Sequence, residues 1–267
     1  MSQITSAISD LTQHLHAQGR VRVWSVIVTI LGEISQLEGG EISMAALLEV
    51  CTALGIEPQA VRTAMSRLSK DGLVSGKRDG RTASYQFSSQ GLIEYDAAAG
   101  IIYAIPKSTD CWTFAFAAES MEVAEVQKKF EANPPLVLGG RCYVWAADNA
   151  PHLLDIATRD FIVFDAQPRA LPHWAQVSVL PALNPETCQR IRAGCHDLCD
   201  CEMSPDQARI ARVLLIHFWR RLVLRYPTVE APIAHWPLAE VHRDIAALYP
   251  QLLRMSGVSN TECARFI

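Results

Sequence analysis

The chain has 267 residues, 49% of them hydrophobic, which suits two or three globular domains and excludes a disordered or fibrous protein. Its formal net charge of -4 excludes a protein that coats nucleic acid through overall charge, and leaves either a binder that works through a local patch or a protein unrelated to nucleic acid. The opening MSQITSAISDLTQ lacks the basic and apolar stretches of a signal peptide, and no apolar run approaches the roughly 18 residues of a membrane span, so a cytoplasmic protein without membrane contact is expected, its eight cysteines present as thiols.

In chain order, residues 4–15 place Ile4, Ile8, Leu11 and Leu15 on one side of a short helix that Gly19 ends. Such a helix either caps its own domain or packs against a second subunit, and both remain open. The apolar run from Val21 to Gln36 predicts a buried helix that Gly32 weakens slightly. Ser43 suits the cap of a second helix through Leu54, with Ala46, Leu47, Val50 and Leu54 inward and Gly55 as its end. After the tight connection LGIEP, Pro58 suits the first position of a third helix. On it Val61, Ala64, Met65 and Leu68 share one face, and Gln59, Arg62, Thr63, Ser66, Arg67 and Lys70 share the other. Gly72 stops that helix, and Leu73–Lys77 and Thr82–Phe87 read as strands around Arg78-Asp79-Gly80-Arg81, where Asp-Gly is a hairpin signal. Helix, helix, recognition helix and wing are the order of a winged helix-turn-helix, here residues 21–106 with a linking helix, preceded by the N-terminal helix in residues 1–20.

The positive charge is local to this unit. Residues 57–87 carry six Lys and Arg against three acids, whereas residues 21–56 carry one Arg against four Glu. A small basic surface on a mildly acidic protein suits phosphate contacts that must be addressed to particular sites. The helix is expected to enter the major groove of double-stranded DNA with Gln59, Arg62, Thr63 and Ser66 nearest the bases and Arg67 and Lys70 on phosphate. Lys77, Arg78 and Arg81 of the wing are expected to grip the backbone. The alternative is a solvated helix and hairpin in a module that docks another protein rather than DNA.

Beyond Pro106 the pattern changes, and the fold class as a whole reads as α+β. CWTFAFA alternates Trp112, Phe114 and Phe116; a helix to about Phe130, the strand pair LVLGGRCYVWA, a short helix 151–158 and the strand DFIVFDA follow. This βαββαβ order predicts a ferredoxin-like domain over residues 107–170. A metal-dependent enzyme built on that fold is a second alternative, but an acidic metal ligand at the end of the first strand is replaced by Ala117-Ala118. Residues 171–267 read as a helical domain, where Ser204-Pro205-Asp206-Gln207 fits a capping box for a helix running to Tyr226 with Ile210, Ala211, Leu214, Leu215, Phe218 and Leu222 inward. Cys188, Cys195, His196, Cys199 and Cys201 offer soft ligands for zinc but lack paired C-x2-C knuckles, so no metal is assigned. No glycine-rich phosphate loop or nucleophile elbow occurs, which argues against an enzyme and against a bound cofactor.

The run ALGIEPQAVRTAMSRLSKDGLVSGKRDGRTASYQFSSQG, preceded by VWSVIVTILGE and followed far downstream by LLIHFWRRLVLRYP, resembles the PaaX family of phenylacetate-pathway transcriptional repressors. The resemblance implies a repressor that binds an operator as a homodimer and is released by a pathway thioester, phenylacetyl-CoA in the best-known members. An acyl-CoA effector would find cations for its phosphates in Arg220 and Arg221 beside His217, an adenine platform at Trp219, and aromatic side chains for the acyl group at Tyr143 and Trp145. Charged side chains that cover an apolar helix with their stems are the other reading of that cation cluster. The segment APIAHWPLAEV departs from the LLP-x-DW-x-G pattern associated with the family around Trp236 and Pro237, which puts phenylacetyl-CoA itself in question as the effector.

Overall fold

The computed structural model of the chain describes residues 3–35, 40–79, 82–103, 111–131, 135–146, 150, 159–167, 174, 184–224 and 237–257. It is a mixed α and β fold that divides into two compact units. The first unit takes residues 1–104, 190–220 and 244–267, and the second takes 105–189 and 221–243, so the C-terminal third is shared between them.

In the first unit, helix α1 (Gln3–Ala17) is followed by α2 (Val23–Ser35), strand β1 (Ile42–Ser43), α3 (Met44–Ala53), α4 (Pro58–Lys70), the hairpin β2 (Val74–Asp79) and β3 (Thr82–Phe87), and α5 (Ser89–Ile102). Val26, Ile27, Ile30 and Leu31 of α2 are buried, and α2 packs on α4, α3 and β3. The apolar character of this helix is thus that of a core element, at roughly 25 cal/mol of stabilisation per Å² of apolar surface removed from water. Gly32 has its own task there: a Cβ at that position would meet the Tyr95 ring of α5 at 2.5 Å, so the glycine leaves room for the aromatic side chain. The α1 helix packs within its own chain. Leu11 lies against Gly194, the His14 ring lies 5.3 Å from that of Phe218, and His16 Nε2 is 2.8 Å from Leu54 O. Strand β1, too short to carry a sequence signal, pairs Ile42 with Tyr85 and Ser43 with Ser84, giving a three-stranded antiparallel sheet in the order β1-β3-β2.

The second unit holds β4 (Trp112–Ala117), α6 (Val123–Lys129), β5 (Leu136–Leu138), β6 (Cys142–Ala146) and β7 (Phe161–Ala166). The four strands form an antiparallel sheet in the order β5-β6-β4-β7. One face buries Ala115, Tyr143, Trp145 and Phe161 against Val126 and Phe130 beside α6. The alternate residues Phe114, Phe116 and Phe164 stack on the opposite face, with ring centroids 5.6 and 5.9 Å apart. The helix expected over 151–158 lies outside the described residues.

Helices α7 (Pro185–Leu198), α8 (Pro205–Val223) and α9 (Pro237–Met255) complete the chain. The expected capping box of α8 is present: Gln207 N donates to Ser204 Oγ at 3.2 Å and Ser204 N donates to Gln207 Oε1 at 3.0 Å. The helix ends at Val223, three residues before the expected Tyr226, which itself lies outside the described residues. Burial on α8 is also wider than the single stripe expected, since residues 211–219 are all buried. Among the described residues no helix is long and apolar enough to cross a membrane.

Candidate nucleic-acid interface

The α4 helix is fixed at both ends by its backbone. Before it, Gly55 adopts φ +69°, and Gly55 N and Ile56 N donate to Thr52 O and Cys51 O at 2.9 Å, folding the chain tightly from α3 into α4 with Leu54 and Ile56 buried. Pro58 occupies the first turn, where a missing N–H costs nothing. After it, Gly72 N donates to Ser69 O and Leu73 N donates to Leu68 O, with Gly72 at φ +77°; this is a Schellman stop, which a Cβ at that φ would strain.

Between those ends α4 buries Val61, Met65 and Leu68 against α2, α3 and β2. Gln59, Arg62, Thr63, Ser66, Arg67 and Lys70 are all exposed on the opposite face, as the sequence spacing requires. Thr63 Oγ1 donates to Gln59 O at 2.9 Å, which leaves its oxygen as an acceptor. Arg67 stands 3.6 Å from Asp71, an exposed pair that costs little to exchange for another anion. The N-cap Glu57 makes no side-chain cap bond, so the first-turn N–H groups of α4 rely on other acceptors, and the N-terminal dipole adds to the positive face.

The hairpin that follows α4 is also basic. Its register runs from Val74 opposite Phe87 to Asp79 opposite Thr82, so β2 ends two residues later than expected and Arg78 lies in the strand rather than in the turn. Lys77 and Arg78 are exposed, while Arg81 lies outside the described residues. At its end the hairpin is tied back toward α4 and α5 through Ser88, whose Oγ donates to Gly72 O at 2.6 Å and accepts from Gly91 N at 3.0 Å. A Cβ on Gly91 would lie 2.1 Å from Leu73 O, so α5 can start this close to the end of α4 only with glycine there.

The residues expected to hold an effector fall into both units and are mostly engaged. Trp219 is fully buried and its Nε1–H donates to Ile102 O at 2.8 Å, so its ring is a core element rather than an open platform. His217 Nδ1 is 3.0 Å from Thr29 Oγ1, and Arg220 Nη1 donates to Thr29 Oγ1 at 3.1 Å and Ser25 O at 3.3 Å. Arg221 is exposed. Tyr143 and Trp145 belong to the second unit, buried on the face of the sheet that α6 covers. The cysteine cluster is likewise dispersed. Cys188 and Cys195 are buried on α7, Cys199 is exposed, and Cys201 Sγ lies 3.3 Å from Asp197 O. Among the described residues no group of His, Cys, Asp and Glu side chains could hold a metal ion.

The residues missed in the sequence form a buried polar centre. Glu33 and Arg212, exposed by 1% and 2%, pair at 2.6 Å, and Glu33 also accepts from the hydroxyls of Tyr103 at 2.5 Å and Tyr249 at 3.1 Å. Burial raises the Glu33 carboxyl above its ordinary range, while the Arg212 charge and the two phenols oppose that shift. A lone acid within VWSVIVTILGEIS and a lone Arg within ARVLLIHFW were the available signal.

Comparison with known proteins places these features in two steps. The fold is similar to that of the uncharacterized protein Rv0674 from Mycobacterium tuberculosis, with a TM-score of 0.53 at 13% identity over 87% of this chain and 95% of that one. Residues 22–91, which span α2 to the start of α5, match the family described as PaaX-like protein. The chain is also 28% identical to the transcriptional repressor PaaX of Escherichia coli (strain K12), over 86% of this chain and 80% of that one. The resemblance to the PaaX family carried by the QAVRTAMSRL helix and the LIHFWRR segment is thereby shown.

Proposed function

We propose that this chain is a transcriptional repressor that binds double-stranded DNA through α4 and the β2–β3 hairpin. We read α2 to β3 as a winged helix-turn-helix and the four-stranded sheet, with its β5-β6-β4-β7 order, as a ferredoxin-like scaffold. The observation that carries the reading is the single exposed face of α4. Six polar or cationic side chains stand on a helix whose opposite face is fully anchored, next to the exposed cations of the hairpin, within the PaaX-like region.

One such helix per chain covers too little DNA to address an operator, so the reading includes a homodimer on two half-sites related by two-fold symmetry. Release by an acyl-CoA thioester extends from the likeness to PaaX. Arg221 falls in the same unit as Tyr143 and Trp145, while His217, Trp219 and Arg220 make contacts with α2 and α5.

A footprint on the DNA upstream of the chain's own coding sequence tests this, repeated with a panel of acyl-CoAs and the free acids. Two protected half-sites centred one helical turn or a multiple apart, lost with a thioester but not with its acid, is the expected result. No preference for any sequence at moderate salt would overturn the repressor reading, and protection indifferent to every thioester would remove the effector alone.

A further inference from the structure

Helix α8 is bonded to α2 through a row of polar contacts. Ser25, Thr29 and Glu33 recur every four residues along α2, and each meets a side chain of α8. Glu33 pairs with Arg212; Thr29 meets His217 and accepts from Arg220; Ser25 O accepts from Arg220. As α2 is followed back from Glu33 to Ser25, α8 is followed forward from Arg212 to Arg220, so the two helices run antiparallel with their register fixed at three levels. The same two helices are joined to α5 and α9. Tyr103 and Tyr249 donate to Glu33, Trp219 donates to the carbonyl of Ile102 that ends α5, and Arg212 donates to Ser256 Oγ at 2.8 Å.

Physical chemistry gives this arrangement a property that a leucine seam lacks. Apolar side chains tolerate a small sliding motion, whereas buried donors and charges left unmade cost about 1–3 kcal/mol each, so the α2–α8 register is held or lost as a unit. Slipping by one helical turn, about 5.4 Å, would break every level at once. The helix α4 in turn rests on α2.

We propose that α8 is a register clamp on α2 that positions the DNA-reading helix α4, so that a displacement of α8 is what weakens operator binding. This rests on the repressor reading and adds the regulatory element to it. Ser25, Thr29, Glu33, Arg212, His217 and Arg220 are positioning residues; none of them is assigned a contact with DNA.

Thr29→Val keeps the side-chain shape and removes the hydroxyl that His217 and Arg220 meet, whereas Thr29→Ser keeps the hydroxyl. Affinity for the upstream duplex is measured by anisotropy at 25 °C, with a thermal melt of each variant confirming that it is folded there. The valine variant is expected to bind about tenfold more weakly, and the serine variant within about twofold of the parent chain. Unchanged affinity in a folded valine variant, whatever its melting temperature, would reduce the clamp to a fold support and overturn the proposal. Should the valine variant fail to fold, Arg220→Gln, at a half-buried position, carries the same test with the same two outcomes. A parent chain that shows no preference for the upstream duplex would instead overturn the repressor reading, and the clamp's role with it.

Discussion

Arg62 and Lys70 stand on one exposed face of α4 but toward its opposite ends, and that difference separates their expected roles. Side chains in the first turns of a recognition helix reach base edges, where a bidentate Arg discriminates among bases by about 1–3 kcal/mol. Those in the last turn reach phosphate, which carries no sequence information. Arg62→Ala is therefore expected to lose about 1–3 kcal/mol on the upstream duplex and little on random DNA, while Lys70→Ala weakens both alike. Titration of each variant on the two duplexes distinguishes these, and equal losses for Arg62→Ala would contradict its role. The thiols give a second residue-scale expectation. Burial pushes Cys51 up to about 12 and Cys142 up to about 11, so both stay protonated and unreactive at pH 8 in the folded chain, whereas the exposed Cys199 is open to reagents. Because the folded values lie above the ordinary thiol value, the stability these groups contribute is present below about pH 9 and is lost as pH rises toward 11 and 12. Timed alkylation at pH 8 followed by peptide mass mapping should show Cys199 modified before Cys51 and Cys142. At this scale the exposed face of α4 was legible because polar and apolar residues alternate with the helical period. The contacts of the LIHFWRR segment were not, because residues 215–219 are all buried and show no outer face, and one sequence does not say that His217 and Arg220 meet Thr29.

The boundaries of α4 were legible because each is chemically marked, by Pro58 at its start and by Gly72 where the Schellman turn needs a positive φ. Strand β1 was not, since two residues carry no alternation and its pairing with β3 is decided by tertiary register. Within α5 two glycines that look alike in sequence differ in space. A Cβ at Gly91 would collide with the Leu73 backbone, whereas Gly100 is exposed in the same helix with open space around it. Gly91→Ala is expected to destabilise by about 1–3 kcal/mol through overpacking, and Gly100→Ala to stabilise by about 0.5–1 kcal/mol through helix propensity. Thermal melts of the two variants should move in opposite directions. The hairpin supplies an element-scale test of charge. Neutralising Lys77 and Arg78 together should make the slope of log affinity against log salt shallower by about two units, since each phosphate contact releases roughly one counterion. An unchanged slope would mean that the hairpin faces away from DNA.

At the scale of the molecule, the two units were only partly legible. The change of pattern after Pro106 precedes the antiparallel sheet, and residues 190–220 and 244–267, which the sequence reads as part of one helical stretch over 171–267, cluster with the first unit. The polar bonds of α8 to α2 and α5 lie within that unit, and they join residues more than a hundred positions apart. If an effector controls this chain, tenfold derepression requires it to favour the non-binding arrangement over the DNA-bound one by about 1.4 kcal/mol, an amount that loss of one buried hydrogen bond at α8 would supply. Addressed binding to DNA is tested most directly by anisotropy titration of the full chain on its upstream duplex and on a random duplex of equal length, each at several salt concentrations. The upstream duplex is expected to bind at least about a thousandfold more tightly at physiological salt, with both affinities falling steeply as salt rises. Equal affinity for the two duplexes, or no dependence on salt, would contradict DNA recognition by α4.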